Sequence, residues 1–167
     1  GIETSIELVE RLDDPRVKLF ITGTATDDWK QGYLNEKRAR ADRLPDPQQV
    51  RFVGHRFANN RIAANGSPPV FSLSDGSAHA HACTYFSRYE GFGNAFVEAL
   101  AARVPIFVNN YRPVYWPDIG SKGFKTVQIE ENELTDDAVE EIRQVLADPV
   151  RGGEIAVFIF ELGRWHF

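Results

Sequence analysis

Short apolar runs alternate with helix-type segments along this chain, and that alternation constrains its fold more than any other feature. Val17-Lys18-Leu19-Phe20-Ile21-Thr22-Gly23 reads as a buried strand, and residues 50–55, 82–86, 104–109 and 124–129 read as four more. Before the first, Ile2, Ile6, Val9 and Leu12 recur at a helical period, which Asp13-Asp14-Pro15 closes. Residues 28–44 carry mixed charges and few apolar positions, consistent with an exposed helix, and residues 57–69 dissolve into a loop. A short helix is expected within 72–80 and another over 90–102. Thr135 caps a third that runs through Val139, Ile142 and Leu146 to Asp148-Pro149, with Asp136 and Asp137 favourable beside its dipole. Strands alternating with helices predict an α/β fold, an open and mostly parallel Rossmann-like sheet with helices on both faces. In such sheets ligands bind at the carboxyl ends of the strands.

The 167 residues fit one domain, spanning 1–167, with enough chain for a real core. A formal net charge of −5 argues against a nucleic-acid partner, since a phosphate backbone calls for a basic surface. One small phosphorylated ligand is still compatible, because a few oriented N–H groups suffice for it. The lone Cys83, inside a strand, rules out an intrachain disulfide framework and reads as a buried structural thiol. His79 and His81 are badly spaced for a shared metal, and no cysteine stands beside them apart from Cys83, so no metal site is expected. No apolar stretch is long enough to span a bilayer and no signal-peptide pattern opens the chain, so a cytoplasmic location is the expectation. The absence of methionine and the opening Gly-Ile-Glu suggest a piece of something longer.

Within this frame Glu98 stands out as the only charge in Ala95-Phe96-Val97-Glu98-Ala99-Leu100-Ala101-Ala102. A carboxylate in so apolar a helix loses hydration and needs donors to compensate. It follows Glu90 by eight residues, and Gly91-Phe92-Gly93 lies between the two at the helix N-terminus, where bare N–H groups bind anions. Glycine at 91 and 93 lets the backbone take unusual dihedrals and come close to a ligand.

Tyr89-Glu90-Gly91-Phe92-Gly93-Asn94-Ala95-Phe96-Val97-Glu98 resembles the Glu-x7-Glu signature of retaining glycosyltransferases of the GT-B fold, family 4 especially. Tyr85-Phe86-Ser87 before it and Val104-Pro105-Ile106-Phe107-Val108 after it agree, and Val53-Gly54-His55 is similar to the family's turn near the nucleotide base. The resemblance implies the C-terminal, donor-binding domain of a two-domain enzyme that uses a nucleotide-diphosphate sugar as donor, with no metal and no other cofactor. It further implies that Glu98 binds the two ribose hydroxyls and that Glu90, the catalytic candidate, sits beside the donor hexose. Backbone N–H groups of Phe92, Gly93, Asn94 and Ala95 would then hold sugar hydroxyls and diphosphate oxygens. His55 has two open readings, a lining of the nucleotide pocket or an ordinary turn histidine.

Relatives carry an Arg and a Lys just ahead of the first helix, and this chain begins after the matching position. An N-terminal acceptor domain is missing as well, so these residues alone are expected to bind nucleotide weakly and not to catalyse transfer. The acceptor is unknown. The loop 109–117 borders the donor sugar or the acceptor cleft in relatives, with Arg112 as a loose candidate for a positive charge. Residues 130–133 read as a solvated acidic turn. Two other functions fit less of the pattern: a sugar-nucleotide epimerase of the same fold, and a non-catalytic nucleotide-binding domain.

Overall fold

The computed structural model describes residues 1–24, 28–64, 66–88, 93–113 and 115–166, with the backbone alone for residues 28 and 29. The chain divides into two compact units, Ile2–Leu73 and Ser74–Phe167, with Gly1 belonging to the latter.

In the first unit, helix α1 (Ile2–Leu12) buries Ile6 and Val9 against Ile21, Ala41, Leu44 and Val50, so its helical period is a core stripe. Asp13 ends it in a left-handed conformation (φ 47°). Strands β1 (Leu19–Ile21) and β2 (Val50–Phe52) pair in parallel, Leu19 opposite Val50 and Ile21 opposite Phe52. Helix α2 (Asp28–Ala41) makes the crossover that parallel strands require. Most of α2 is exposed as its charges suggest, yet Leu34, Lys37 and Ala41 form a buried stripe. The Lys37 ammonium, 7% exposed as a residue, lies 3.5 Å from Glu3 and 2.9 Å from Glu36, while the Tyr33 hydroxyl donates to Glu3 at 2.7 Å. A buried ammonium needs such partners.

The stretch expected to be a loop is partly ordered into sheet. Strands β3 (Phe57–Ala58) and β4 (Phe71–Ser72) pair in parallel, and Ile62 bridges Val70 in antiparallel fashion. Arg56 fastens this segment by donating to the Pro69 carbonyl at 3.0 Å, and the Phe57 and Phe71 rings lie 6.2 Å apart. Two-residue strands leave no periodicity to read, which is why the sequence shows only a loop there.

The second unit opens with helix α3 (Leu73–Ala78), whose first residue lies at the boundary. Strands β5 (Cys83–Tyr85), β6 (Ile106–Asn110) and β7 (Val127–Glu130) form a parallel sheet in that order. Every residue of β6 is buried, as a central parallel strand covered on both faces demands. Ile106 and Val108 turn toward α4 (Asn94–Ala101), α5 (Tyr115–Asp118) and α7 (Pro149–His166), meeting Phe96, Leu100, Tyr115 and Ile159. Helix α6 (Asp136–Ala147) packs on β7 and α7 and buries Val139, Ile142 and Val145. Thr135 caps it, accepting from the Ala138 N–H at 3.2 Å. Asp148 closes α6 and opens α7, its Oδ1 accepting from the N–H groups of Val150 and Arg151 at 3.0 and 3.1 Å. No helix among the described residues is long and apolar enough to cross a membrane.

Candidate functional site

Strand β5 carries the chain to its carboxyl end at Tyr85, and α4 begins a few residues on. Glu90, Gly91 and Phe92 lie outside the described residues, so the structure speaks to the rest of the expected group. Gly93 is buried and left-handed (φ 84°, ψ 38°), and its carbonyl accepts from the Phe96 and Val97 N–H groups at 2.9 and 3.3 Å. A Cβ there would stand 3.0 Å from the Tyr85 hydroxyl and 3.1 Å from Ile119 Cδ1. Glycine is therefore demanded twice, by dihedral and by space.

The helix that Gly93 opens is eight residues long, and Phe96, Ala99 and Leu100 make its buried stripe. Asn94 and Glu98, four residues apart, share a different face. Asn94 and Ala95 are exposed in the first turn, where helix N–H groups have no partner within the helix. Glu98 is half-buried on the flank of α4, less enclosed than its apolar neighbours in sequence suggest. It lies near Cys83, whose thiol burial pushes up most, Ser77 lowers through a hydrogen bond, and the Glu98 carboxylate raises further. Cys83 is half-buried, less enclosed than the buried thiol expected from its strand. His55 is exposed in the turn Gly54–Arg56 of the first unit. Among the described residues no cluster of three His, Cys, Asp or Glu side chains could hold a metal ion.

A second group stands at the carboxyl ends of β6 and β7, of which sequence reasoning singles out only the loop 109–117 and Arg112. A cavity of about 560 Å³ opens there, walled by Arg88, Asn110, Tyr111, Arg112, Glu130 and Asn132 among others. Asn109 and Asn110 are both buried at the end of β6. Asn109 donates to the Ser87 carbonyl at 2.9 Å and accepts from the Asn132 N–H at 2.8 Å, joining the segment after β5 to the turn after β7. Asn110 Nδ2 donates to Glu130 Oε1 at 2.8 Å. The acidic turn read as merely solvated is one wall of this cavity, and Arg112 stands beside it, 3.9 Å from Glu130. Adjacent asparagines ending an apolar strand were the available signal.

Parallel strands with crossover helices, and a glycine-opened helix at the carboxyl end of a strand, define a Rossmann-like α/β protein of the kind that makes up a GT-B domain. The chain belongs to the glycosyl transferases group 1 family, whose description matches residues 1–156. It is also similar to a mannosylglucosylglycerate synthase of Petrotoga mobilis, 38% identical over 108 residues, which cover 57% of this chain and 25% of that protein. A mannosylglucosylglycerate synthase of Thermotoga maritima is 38% identical over 96 residues, 50% of this chain and 22% of that protein. The matches span about a quarter of the length of these curated relatives.

Proposed function

We infer that this chain supplies the donor-binding part of a retaining glycosyltransferase, which moves a hexose from a nucleotide-diphosphate sugar to an acceptor hydroxyl. The observation that carries the reading is the head of α4. A left-handed Gly93 opens that helix at the carboxyl end of β5, and Glu98 stands on its flank beside Asn94. In this reading Glu98 accepts hydrogen bonds from the ribose diol, two charge-assisted bonds of about 1.5–3 kcal/mol each. The N–H groups of Phe92, Gly93, Asn94 and Ala95 hold the sugar and diphosphate at the positive end of the helix. Glu90 faces the hexose and the charge that develops at its anomeric carbon. The bond from the anomeric carbon to the diphosphate breaks with its electron pair on phosphate, and the acceptor oxygen forms the new bond on the same side. The acceptor's proton passes to the departing phosphate oxygen. No metal is required in this scheme, since oriented dipoles and basic side chains stabilise the leaving charge. An N-terminal domain outside these residues would bring the acceptor. A cytoplasmic setting is part of the proposal, because a reducing compartment suits the lone Cys83.

The relatives' names make mannosylglucosylglycerate the first product to test. Calorimetric titration of the intact protein with uridine, guanosine and adenosine diphosphates and their sugars should find one that binds. Glu98→Ala should weaken that binding at least ten-fold, whereas Glu140→Ala, on the exposed face of α6, should leave it unchanged. An intact protein that binds none of these nucleotides ends the reading. Release or interconversion of the donor sugar without any acceptor would point instead to an epimerase, and binding without turnover to a non-catalytic domain.

A further inference from the structure

Asn109 stands next to last in the apolar strand β6 and is only 2% exposed. Both of its amide atoms are engaged, Nδ2 donating to the Ser87 carbonyl at 2.9 Å and Oδ1 accepting from the Asn132 N–H at 2.8 Å. Turning the amide over would set oxygen against a carbonyl and nitrogen against an N–H, so its two partners fix one orientation. Both partners lie just past the ends of the ladders. The pairing of β5 with β6 stops at Tyr85 opposite Val108, and that of β6 with β7 stops at Glu130 opposite Asn110. One side chain of the central strand thus carries the sheet on toward both neighbours, two residues beyond the last paired residue of each.

The segment held on the β7 side is strained. Glu131 (φ 49°) and Asn132 (φ 60°) are both left-handed, and the Glu133 N–H closes the turn on the Glu130 carbonyl at 2.8 Å. Such a two-residue turn is usually built from asparagine and glycine, and glutamate is a poor occupant of its first position. Asn110 adds a second hold, its Nδ2 on Glu130 and its Oδ1 buried with no hydrogen-bond partner among the described residues. Strain of this kind persists where surrounding contacts over-determine it, and it gathers at functional sites. On the β5 side the anchored residue is Ser87, three residues ahead of Glu90.

We propose that Asn109 is a positioning residue for glycosyl transfer: its amide locks the segment leaving β5 to the left-handed turn after β7, and so sets where the chain starts out toward Glu90. It acts through the backbone and not by touching donor or acceptor. Its effect on rate rests on the glycosyl-transfer reading, whereas the lock itself does not.

The test compares the intact protein with Asn109→Asp, which keeps the acceptor for Asn132 but loses the donor to Ser87, and with Asn109→Ala, which loses both. Ile142→Ala, in the buried stripe of α6, is a control destabilised outside the site. Mannose transfer to glucosylglycerate from guanosine and uridine diphosphate mannose gives kcat and KM, and amide hydrogen exchange reads the local hold. Both Asn109 variants should lower kcat about ten-fold or more with the donor KM within about three-fold, since an interaction that orients reacting groups shows in kcat. Exchange over residues 86–88 should quicken in both variants, and over 130–133 in Asn109→Ala alone. Ile142→Ala should lower the thermal midpoint at least as far while kcat stays within about two-fold. Unchanged kcat in both Asn109 variants, an equal loss of kcat in Ile142→Ala, or unchanged exchange over 86–88 would overturn the assignment. If the unaltered protein transfers no sugar from any nucleotide-sugar while exchange over 86–88 still quickens in the variants, the lock stands and the glycosyl-transfer reading falls.

Discussion

Gly93 holds a backbone conformation that costs an L-residue about 1–2 kcal/mol, and a Cβ there would press on Tyr85 and Ile119. Gly93→Ala should therefore lower stability by about 2–3 kcal/mol in denaturant unfolding, the strain and the overpacking acting together. An alanine variant as stable as the original would refute this account of how α4 begins. This residue was legible, because glycine before an apolar helical run has few other uses. Glu98 was legible as an oddity, and the structure changes its setting: it flanks the buried stripe of α4 without joining it. Asn110 was not legible. Its importance rests on a hydrogen bond to Glu130, twenty residues away, and on an acceptor left over, and neither can be read along a chain.

Helix α7 shows how an element can depend on residues that argue against it. Gly152, Gly153 and Gly163 lower helix propensity by about 1 kcal/mol each relative to alanine, and they blur the period in sequence. Gly163 earns its place by contact, because a Cβ there would lie 2.5 Å from Leu100 Cδ1 and 3.0 Å from Leu100 Cγ. Gly153 is exposed, with nothing within 4 Å of such a Cβ. Two substitutions in one helix should thus have opposite signs in thermal unfolding. Gly163→Ala should destabilise by about 1–3 kcal/mol through overpacking of α4 against α7, and Gly153→Ala should stabilise by up to about 1 kcal/mol. Equal effects would mean that propensity alone governs α7. Helix α6 was legible from its cap and period, whereas β3 and β4 were not, since two-residue strands exist only through their partners.

At the scale of the molecule, an excess of acidic groups makes acid the informative perturbation. Burial raises the Glu3 carboxyl, but its own backbone N–H, the Tyr33 hydroxyl, the amino group of Gly1 and the Lys37 ammonium outweigh that and hold it at about 2. A carboxyl with a depressed folded value contributes stability that is complete above its unfolded value, near 4.5, and is lost as pH falls toward 2. The thermal midpoint should therefore drop through that window, and Glu3→Gln should flatten the drop while lowering the midpoint at neutral pH. A variant whose midpoint follows the same pH curve as the original would exclude Glu3 as the cause. The parallel α/β class, the capped helix α6 and the turn that opens α4 were determined by the sequence itself, because periodicity, capping and glycine dihedrals are local and act through neighbours in the chain. The buried Lys37 cluster, the close approach of Gly163 to Leu100 and the cavity around Asn110 were decided by tertiary structure alone. Each depends on desolvation or contact between segments far apart in sequence, and those energies exist only once the chain has packed.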